Sequence, residues 1–306
     1  MGLAKTKYVW VNGRLVGWDE AKVHVLTHAL HYGSSVFEGI RCYETSRGPA
    51  IFRLKEHMER LEKSAKIYMM KLPYTVEELC MAAVEVVKAN GLKECYIRPI
   101  AFRGTGEMGL QAQNPVEMAM AAWPWGPYLG EEGQKKGIRV KVSSYIRPPP
   151  HSLPMNAKAG GHYLSSILAK MEAVKAGYDE AIMLDHRGFV SEGSGENIFI
   201  VKDGVLYTPP LYASILLGIT RDTVMVLAND MGYKVAEEDL TRSMLYTADE
   251  AFFTGTAAEV TPIREIDDRP VGGGQPGPIT MKLLKEYKEV VHGRKPKYDK
   301  WLTYVK

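Results

Sequence analysis

Cysteine is scarce in this 306-residue chain, with only Cys42, Cys80 and Cys95. An odd count without metal-type spacing excludes a disulfide framework and a thiolate metal centre. It suits a reducing compartment, with each cysteine a small core residue. Long apolar runs are missing, so no segment reaches the length of a membrane span, and the first residues lack the apolar stretch of a signal peptide. Excess charge of one sign is missing as well. Thirty-nine basic against 36 acidic residues leave +3, and the basic ones are dispersed rather than gathered into a nucleic-acid footprint. Asn and Gln together number 10, and these are thermolabile types that heat-stable proteins avoid. Met1-Gly2 with Thr6 fits a myristoylation pattern, but the second signal that stable anchoring needs is absent. What remains, 45% apolar and 25% charged residues, is a soluble globular composition with chain for one large or two ordinary domains. The expected compartment is the cytoplasm.

One stretch stands out against this background: Asn156-Ala157-Lys158-Ala159-Gly160-Gly161-His162-Tyr163, a lone lysine among Ala and Gly with no carboxylate within ten residues on either side. Small residues are needed where something large approaches the backbone. Downstream, Leu164, Ile167, Leu168, Met171 and Val174 recur at helical spacing, and Gly177 supplies a stop. Lys158 is therefore expected in a tight loop at the mouth of an amphipathic helix. A desolvated lysine near a positive helix end loses its proton more easily and becomes nucleophilic.

In chain order, Asn12-Gly13 predicts a type I′ hairpin over residues 8–16. Residues 28–41 mix aromatics, glycines and polar groups, as the wall of a site does. Residues 53–70 carry the helical stripe Leu54, Met58, Leu61, Ala65 and Tyr68, with Arg60 at its edge; such an arginine is by itself structural. Thr75 with Glu78 forms a capping box for a second helix that ends at Gly91. Strands follow at 94–103 and 117–123, and Tyr96 and Arg98 project to one face of the first. Between them, Gly104-Thr-Gly106-Glu-Met-Gly109 matches the dinucleotide fingerprint letter for letter, but Asn114-Pro115 arrives too soon for the helix which that motif must open. It reads as a glycine loop. The Pro/Gly-rich stretch 123–130 divides the chain into 1–123, an α+β domain, a 124–135 linker loop, and 136–306, a second domain.

In the second part, Glu192 lies at a strand end against two glycines, where a carboxylate can face a ligand. Gly218-Ile219-Thr220-Arg221 opens a helix stopped by Gly232, a natural phosphate cradle. The strand at 250–253 runs into Thr254-Gly255-Thr256-Ala257-Ala258, a turn of small residues with amides to offer. A nucleophilic lysine, an acid at a glycine turn, a phosphate-type helix start and an aromatic-lined wall converge on one ligand, pyridoxal 5′-phosphate. It needs a lysine for its aldehyde, donors for its phosphate and a carboxylate for its pyridine nitrogen.

The sequence resembles the fold type IV pyridoxal-phosphate enzymes and, within them, the branched-chain amino acid aminotransferases. The resemblance runs from Tyr8 to about Pro278 and is carried by His31-Tyr-Gly-Ser-Ser-Val-Phe-Glu-Gly39, Tyr96-Ile-Arg-Pro99, Lys158-Ala-Gly-Gly-His-Tyr163, Ser191-Glu-Gly-Ser-Gly-Glu-Asn197, Gly218-Ile-Thr-Arg221 and Thr254-Gly-Thr-Ala-Ala-Glu259. It implies an α+β, two-domain fold, with a smaller N-terminal domain, a larger barrel-like C-terminal domain and the cofactor between them. By the resemblance, Lys158 holds the cofactor's aldehyde and shuttles a proton. Glu192 pairs with the pyridine nitrogen, and Tyr163 with the phenolic oxygen. Arg60, Ile219, Thr220 and Thr256 hold the phosphate, and Leu216 packs on the ring.

The resemblance also gives Tyr96 and the amides of Thr256 and Ala257 to the substrate α-carboxylate. Tyr32, Phe37, Gly39, Trp125, Tyr128 and Tyr163 line the side-chain pocket, and Arg98 takes the distal carboxylate of glutamate. Tyr32 reaches the neighbouring subunit's site, so a homodimer is the minimum unit, with a hexamer (a trimer of dimers) as the larger alternative. The implied reaction is ping-pong transfer of an amino group from L-leucine, L-isoleucine or L-valine to 2-oxoglutarate. Leu217 and His162 depart from the proline and asparagine common in relatives. Rivals in the same fold type are a D-amino acid aminotransferase, an (R)-amine transaminase and aminodeoxychorismate lyase. Tyr96-Ile-Arg98 with Phe37-Glu38-Gly39 favours the L-branched-chain type. A binding protein with a dead site is opposed by the intact Lys158, Glu192 and phosphate set.

Overall fold

The computed structural model describes residues 4–126 and 130–306; Met1-Gly2 and Tyr128 lie outside them. Local signals set the first elements. Asn12 and Gly13 take φ of 45° and 90°, as a type I′ turn requires, and join Tyr8–Val11 to Arg14–Gly17 in an antiparallel pair. Thr75 accepts from the Glu78 amide at 3.2 Å while the Glu78 carboxylate accepts from the Thr75 amide at 2.7 Å, and the helix Val76–Ala89 starts there. Residues 104–115 connect the strands Cys95–Arg103 and Val116–Trp123 without a helix, which removes the context a dinucleotide fingerprint needs.

By contacts the chain falls into two compact units. One takes Met1–Trp125, Ala157–Gly161 and Val290–Lys306; the other takes Gly126–Asn156 and His162–Glu289. Lys158 and the chain's last segment thus belong with the N-terminal elements, whereas a linear division at 123 and 136 assigns both to the second domain.

The first unit holds an eight-stranded sheet, antiparallel throughout, in the order Leu302–Tyr304, Gly48–Phe52, Ile40–Thr45, Cys95–Arg103, Val116–Trp123, Tyr8–Val11 and Arg14–Gly17, with Ser35–Phe37 joined to Cys95–Arg103. The helix Leu54–Ile67 packs beside Val76–Ala89, and their apolar faces (Leu54, Met58, Leu61; Leu79, Val86) form one core with Ile40, Ile51, Ile97 and Met120. The second unit holds a nine-stranded sheet in the order Val190–Gly193, Glu180–Leu184, Ile138–Val142, Glu259–Ile266, Glu250–Gly255, Asn197–Lys202, Val205–Thr208 and Val235–Glu237, with Arg269–Pro270 joined to Glu259–Ile266. Three of its pairings are parallel. Ile138, Val140, Ile182, Ile198, Ile200, Phe253 and Ile263 fill its core.

The helix behind Lys158 buries its small residues and not its large apolar ones. The helix Tyr163–Lys175 forms as the spacing predicts, but Leu164, Ile167, Leu168, Met171 and Val174 are 45–68% exposed, and the buried face is Ser166, Ala169 and Ala173. Small residues let this helix lie close on its sheet, so the stripe of large apolar residues points outward.

Thr75→Ala removes the cap acceptor from the exposed start of Val76–Ala89. It should cost about 1 kcal/mol and lower the thermal midpoint by about 2 °C. Differential scanning calorimetry of the variant beside the wild type measures this, and an unchanged midpoint would count against the cap.

Candidate active site

In the first unit, Lys158, Phe37, Arg98, Tyr96, Trp125 and Gly39 form one chain of contacts. Lys158 is held by its backbone at both ends. Its amide donates to Ser64 Oγ at 3.0 Å, and its carbonyl accepts from the Phe37 amide at 3.0 Å; an antiparallel bridge between Val36 and Ala159 continues the pairing. The lysine Nζ lies 5.0 Å from the Phe37 ring centroid, within cation–π range. The Arg98 guanidinium sits 4.8 Å over the same ring and donates to Tyr96 Oη at 3.2 Å, so Tyr96 and Arg98 share a face as their two-residue spacing requires. Arg98 Nε is buried without a protein partner among the described residues. Tyr96 also meets Trp125 edge to face at 4.7 Å. A Cβ at Gly39 would lie 1.8 Å from Tyr96 Oη, so only glycine lets the phenol lie against this backbone.

Arg60 is clamped from below. Its Nε and Nη2 donate to the two oxygens of Glu38 at 2.6 and 2.8 Å, and His57 Nδ1 donates to Glu38 Oε2 at 2.7 Å. Glu38 is fully buried. Burial alone would raise its carboxyl; Arg60 and His57 outweigh that and hold it well below the usual carboxylate range. Burial lowers the His57 imidazole from its ordinary value against the pull of Glu38.

Tyr32 is directed elsewhere. It is exposed, its ring lies 4.6 Å from that of His28, and its hydroxyl donates to the carbonyl of Met108 at 3.1 Å. Tyr128 lies outside the described residues.

The second unit gathers another set. Glu192, 5% exposed, accepts from Arg147 on Oε1 at 2.5 Å, and from Asn197 Nδ2 at 2.8 Å and the Leu216 amide at 3.1 Å on Oε2. Three donors, one of them cationic, compensate a carboxylate removed from water. Asn197 also donates to the Leu216 carbonyl at 2.9 Å, and a Cβ at Gly218 would fall 1.9 Å from Asn197 Oδ1. The helix Ile219–Asp230 begins directly after Gly218, which offers no side-chain cap, and Ile219 and Thr220 are buried in its first turn. Thr254, opposite Asn197 in the sheet, leads into the half-buried Thr256 and Ala257. The buried hydroxyls of Thr254 and Ser214 have no protein partner among the described residues. Arg147 ties these pieces to Tyr163's helix, reaching Ser166 Oγ at 3.2 Å and the Ser214 carbonyl at 3.4 Å.

Unit by unit, this is the chemistry a phosphorylated pyridine aldehyde requires. One unit has a half-buried amine and a fixed guanidinium. The other has a buried, compensated carboxylate, a helix start without a side-chain cap and two hydroxyls with no partner among the described residues. Sequence reasoning missed Glu38, His57, Arg147 and Asn197 as parts of these sets. His57 carried a usable signal, a titratable residue on the buried face of an amphipathic helix. Arg147 carried none, because its partners lie 19, 45 and 67 residues away.

The model of the amino-transferase class IV family matches residues 35–266. The branched-chain-amino-acid aminotransferase of Pseudomonas aeruginosa is 51% identical over 299 residues, covering 97% of each chain. Among solved structures, the Escherichia coli branched-chain amino acid aminotransferase superposes with a TM-score of 0.97 at 48% identity, over 99% of this chain and 100% of that one. The T.th. branched-chain amino acid aminotransferase complexed with N-(5′-phosphopyridoxyl)-L-glutamate gives 0.94 at 52% identity, over 99% of both. The mixed α/β fold with two sheets is that of these aminotransferases.

A buried acid beside the second set makes a pH prediction. Burial, and then the Glu180 carboxylate, push Glu196 up to about 8, while in the unfolded chain it titrates near its ordinary value of 4.5. The folded state therefore binds the proton more tightly. Its stabilisation is complete below pH 4.5 and is lost as pH rises through about 8, at about 1.4 kcal/mol for each pH unit between the two. Glu196→Gln mimics the protonated acid. Its thermal midpoint should match the wild type near pH 5 and exceed it near pH 9; parallel midpoints across this range would refute the assignment.

Proposed function

The chain belongs to the class IV aminotransferase family, and from that membership we propose that it is a pyridoxal-phosphate-dependent branched-chain amino acid aminotransferase. L-leucine, L-isoleucine and L-valine are the proposed donors and 2-oxoglutarate the acceptor, in a ping-pong sequence whose reverse direction is biosynthetic. The observation that carries this reading is Arg98 among aromatic rings. Phe37, Tyr96 and Trp125 suit a branched alkyl group, while a guanidinium whose buried Nε has no partner among the described residues suits the distal carboxylate of glutamate. The T.th. relative, solved with a phosphopyridoxyl-glutamate, agrees with both the cofactor and the acidic partner.

Pyridoxal phosphate, when bound, supplies an electron sink for the pair released as the substrate Cα–H bond breaks. Lys158 is the proposed attachment point and moves the proton at Cα, and its pinned backbone leaves the amine to act through side-chain torsions. Glu192 is assigned to the ring nitrogen, Tyr163 to the phenolic oxygen and Leu216 to the ring face. Arg60, Ile219, Thr220 and Thr256 are assigned to the phosphate. Tyr96 with the amides of Thr256 and Ala257 is assigned to the α-carboxylate. Phe37, Gly39, Trp125, Tyr128, Tyr163 and a neighbouring subunit's copy of Tyr32 are assigned to the side-chain pocket.

A homodimer at least is proposed as the working unit. The outward apolar stripe of Tyr163–Lys175 is larger than lone surface residues require, and it supports self-association. A cytoplasmic location is proposed alongside; no described helix is long and apolar enough to cross a membrane.

Two measurements test the reading. Borohydride reduction of the yellow enzyme followed by peptide mapping should place the pyridoxyl group on Lys158, and a label on another lysine would overturn the assignment. Arg98→Leu should lower kcat/KM for glutamate and 2-oxoglutarate by about 10- to 150-fold, the worth of a guanidinium–carboxylate bond. Single-turnover reaction with L-leucine should change much less. Equal losses for both donors would mean that Arg98 serves the fold or the α-carboxylate, and faster turnover of D-amino acids would point to the D-specific relatives.

A further inference from the structure

The helix Leu54–Ile67 buries a polar ridge within its apolar face. His57, Arg60 and Ser64 recur at helical spacing, and His57 and Ser64 are almost fully buried. Ser64 takes the Lys158 amide; His57 and Arg60 take Glu38. Glu38 itself has little freedom. Its amide donates to the Pro99 carbonyl at 2.9 Å, and the amide of Gly39 donates back to Glu38 Oε2 at 3.3 Å. A buried ion pair stabilises a fold poorly compared with apolar residues of the same size, because both charges must be desolvated. An acid with no water contact beneath a partly exposed arginine (side chain 13% exposed) is therefore better explained by orientation than by stability. The bidentate pairing occupies the Nε–Nη2 edge of the guanidinium and fixes the plane in which the rest of the group lies.

We propose that Glu38, seconded by His57, is a positioning residue that presets the Arg60 guanidinium for the cofactor's phosphate. The inference rests on the assignment of Arg60 to that phosphate. An arginine without such a partner must give up side-chain rotamers when the phosphate arrives, and preorganisation removes that cost from binding. Glu38 touches neither cofactor nor substrate in this role. Its influence should therefore appear in cofactor affinity and depend on the presence of both Arg60 and the phosphate.

The test titrates the apoenzyme with pyridoxal phosphate and, separately, with pyridoxal, which lacks the phosphate, following tryptophan fluorescence. Wild type, Glu38→Gln, Arg60→Leu and the double variant are compared. Glu38→Gln should weaken pyridoxal phosphate by about 10- to 100-fold and pyridoxal by less than about threefold, and in the Arg60→Leu background its added effect should nearly vanish. Equal weakening of both ligands, no weakening of either, or a full effect without Arg60 would each overturn the proposal. Arg60→Leu with unchanged pyridoxal phosphate affinity would remove the phosphate assignment itself and the inference with it. Arg60→Leu weak and Glu38→Gln unaffected removes the inference alone. If Glu38→Gln fails to fold, Glu38→Asp carries the same comparison. It keeps the charge but shortens the reach, so it should give an intermediate loss confined to pyridoxal phosphate, and a loss shared with pyridoxal would overturn the proposal.

Discussion

A carboxylate withdrawn from water must be met by donors, and both units are arranged around that requirement. In the first, Glu38 is met by Arg60 and His57. In the second, Glu192 is met by Arg147, Asn197 and the Leu216 amide. Each acid, once compensated, gives direction to something else. Glu38 orients a guanidinium, and the partners of Glu192 lock the strand end, the 214–218 segment and the first turn of Tyr163–Lys175 to one another through Arg147. The energetic cost of burying charge thus becomes geometric definition, which supports the view that such pairs serve specificity more than stability.

Glycine serves the same end where side chains would intrude. Gly39 lets the Tyr96 hydroxyl rest on the backbone, and Gly218 lets the Asn197 amide reach the turn before Ile219. Neither position needs a positive φ; each is glycine because of what lies against it. The motifs Phe37-Glu38-Gly39 and Gly218-Ile-Thr-Arg221 therefore read as contact requirements, a phenol or an amide packed against a bare Cα.

Legibility in the sequence follows the range of the interaction. The Asn12-Gly13 turn and the Thr75–Glu78 box are readable because every partner lies within four residues. Tyr96 and Arg98 are readable because strand alternation fixes their common face. The helix Tyr163–Lys175 is legible, but its direction is not: periodicity reports that large apolar residues share a face, and it is silent on whether that face meets a sheet or solvent. Only the small residues Ser166, Ala169 and Ala173, at the same spacing, hint at the side that packs closely. Glu38, Arg147 and the return of Ala157–Gly161 to the first unit depend on partners far along the chain. The family resemblance implies a role for Arg60, but not the acid paired with it.

The two backbone hydrogen bonds on Lys158, to Ser64 and from Phe37, have a mechanical consequence. With amide and carbonyl both anchored, the lysine Cα is a fixed pivot and the four-carbon stem is the only moving part. The travel of the amine is then set by stem length and rotamer choice alone, on the fast timescale of side-chain hops. A stem one atom shorter or longer would then change the reach of the amine directly.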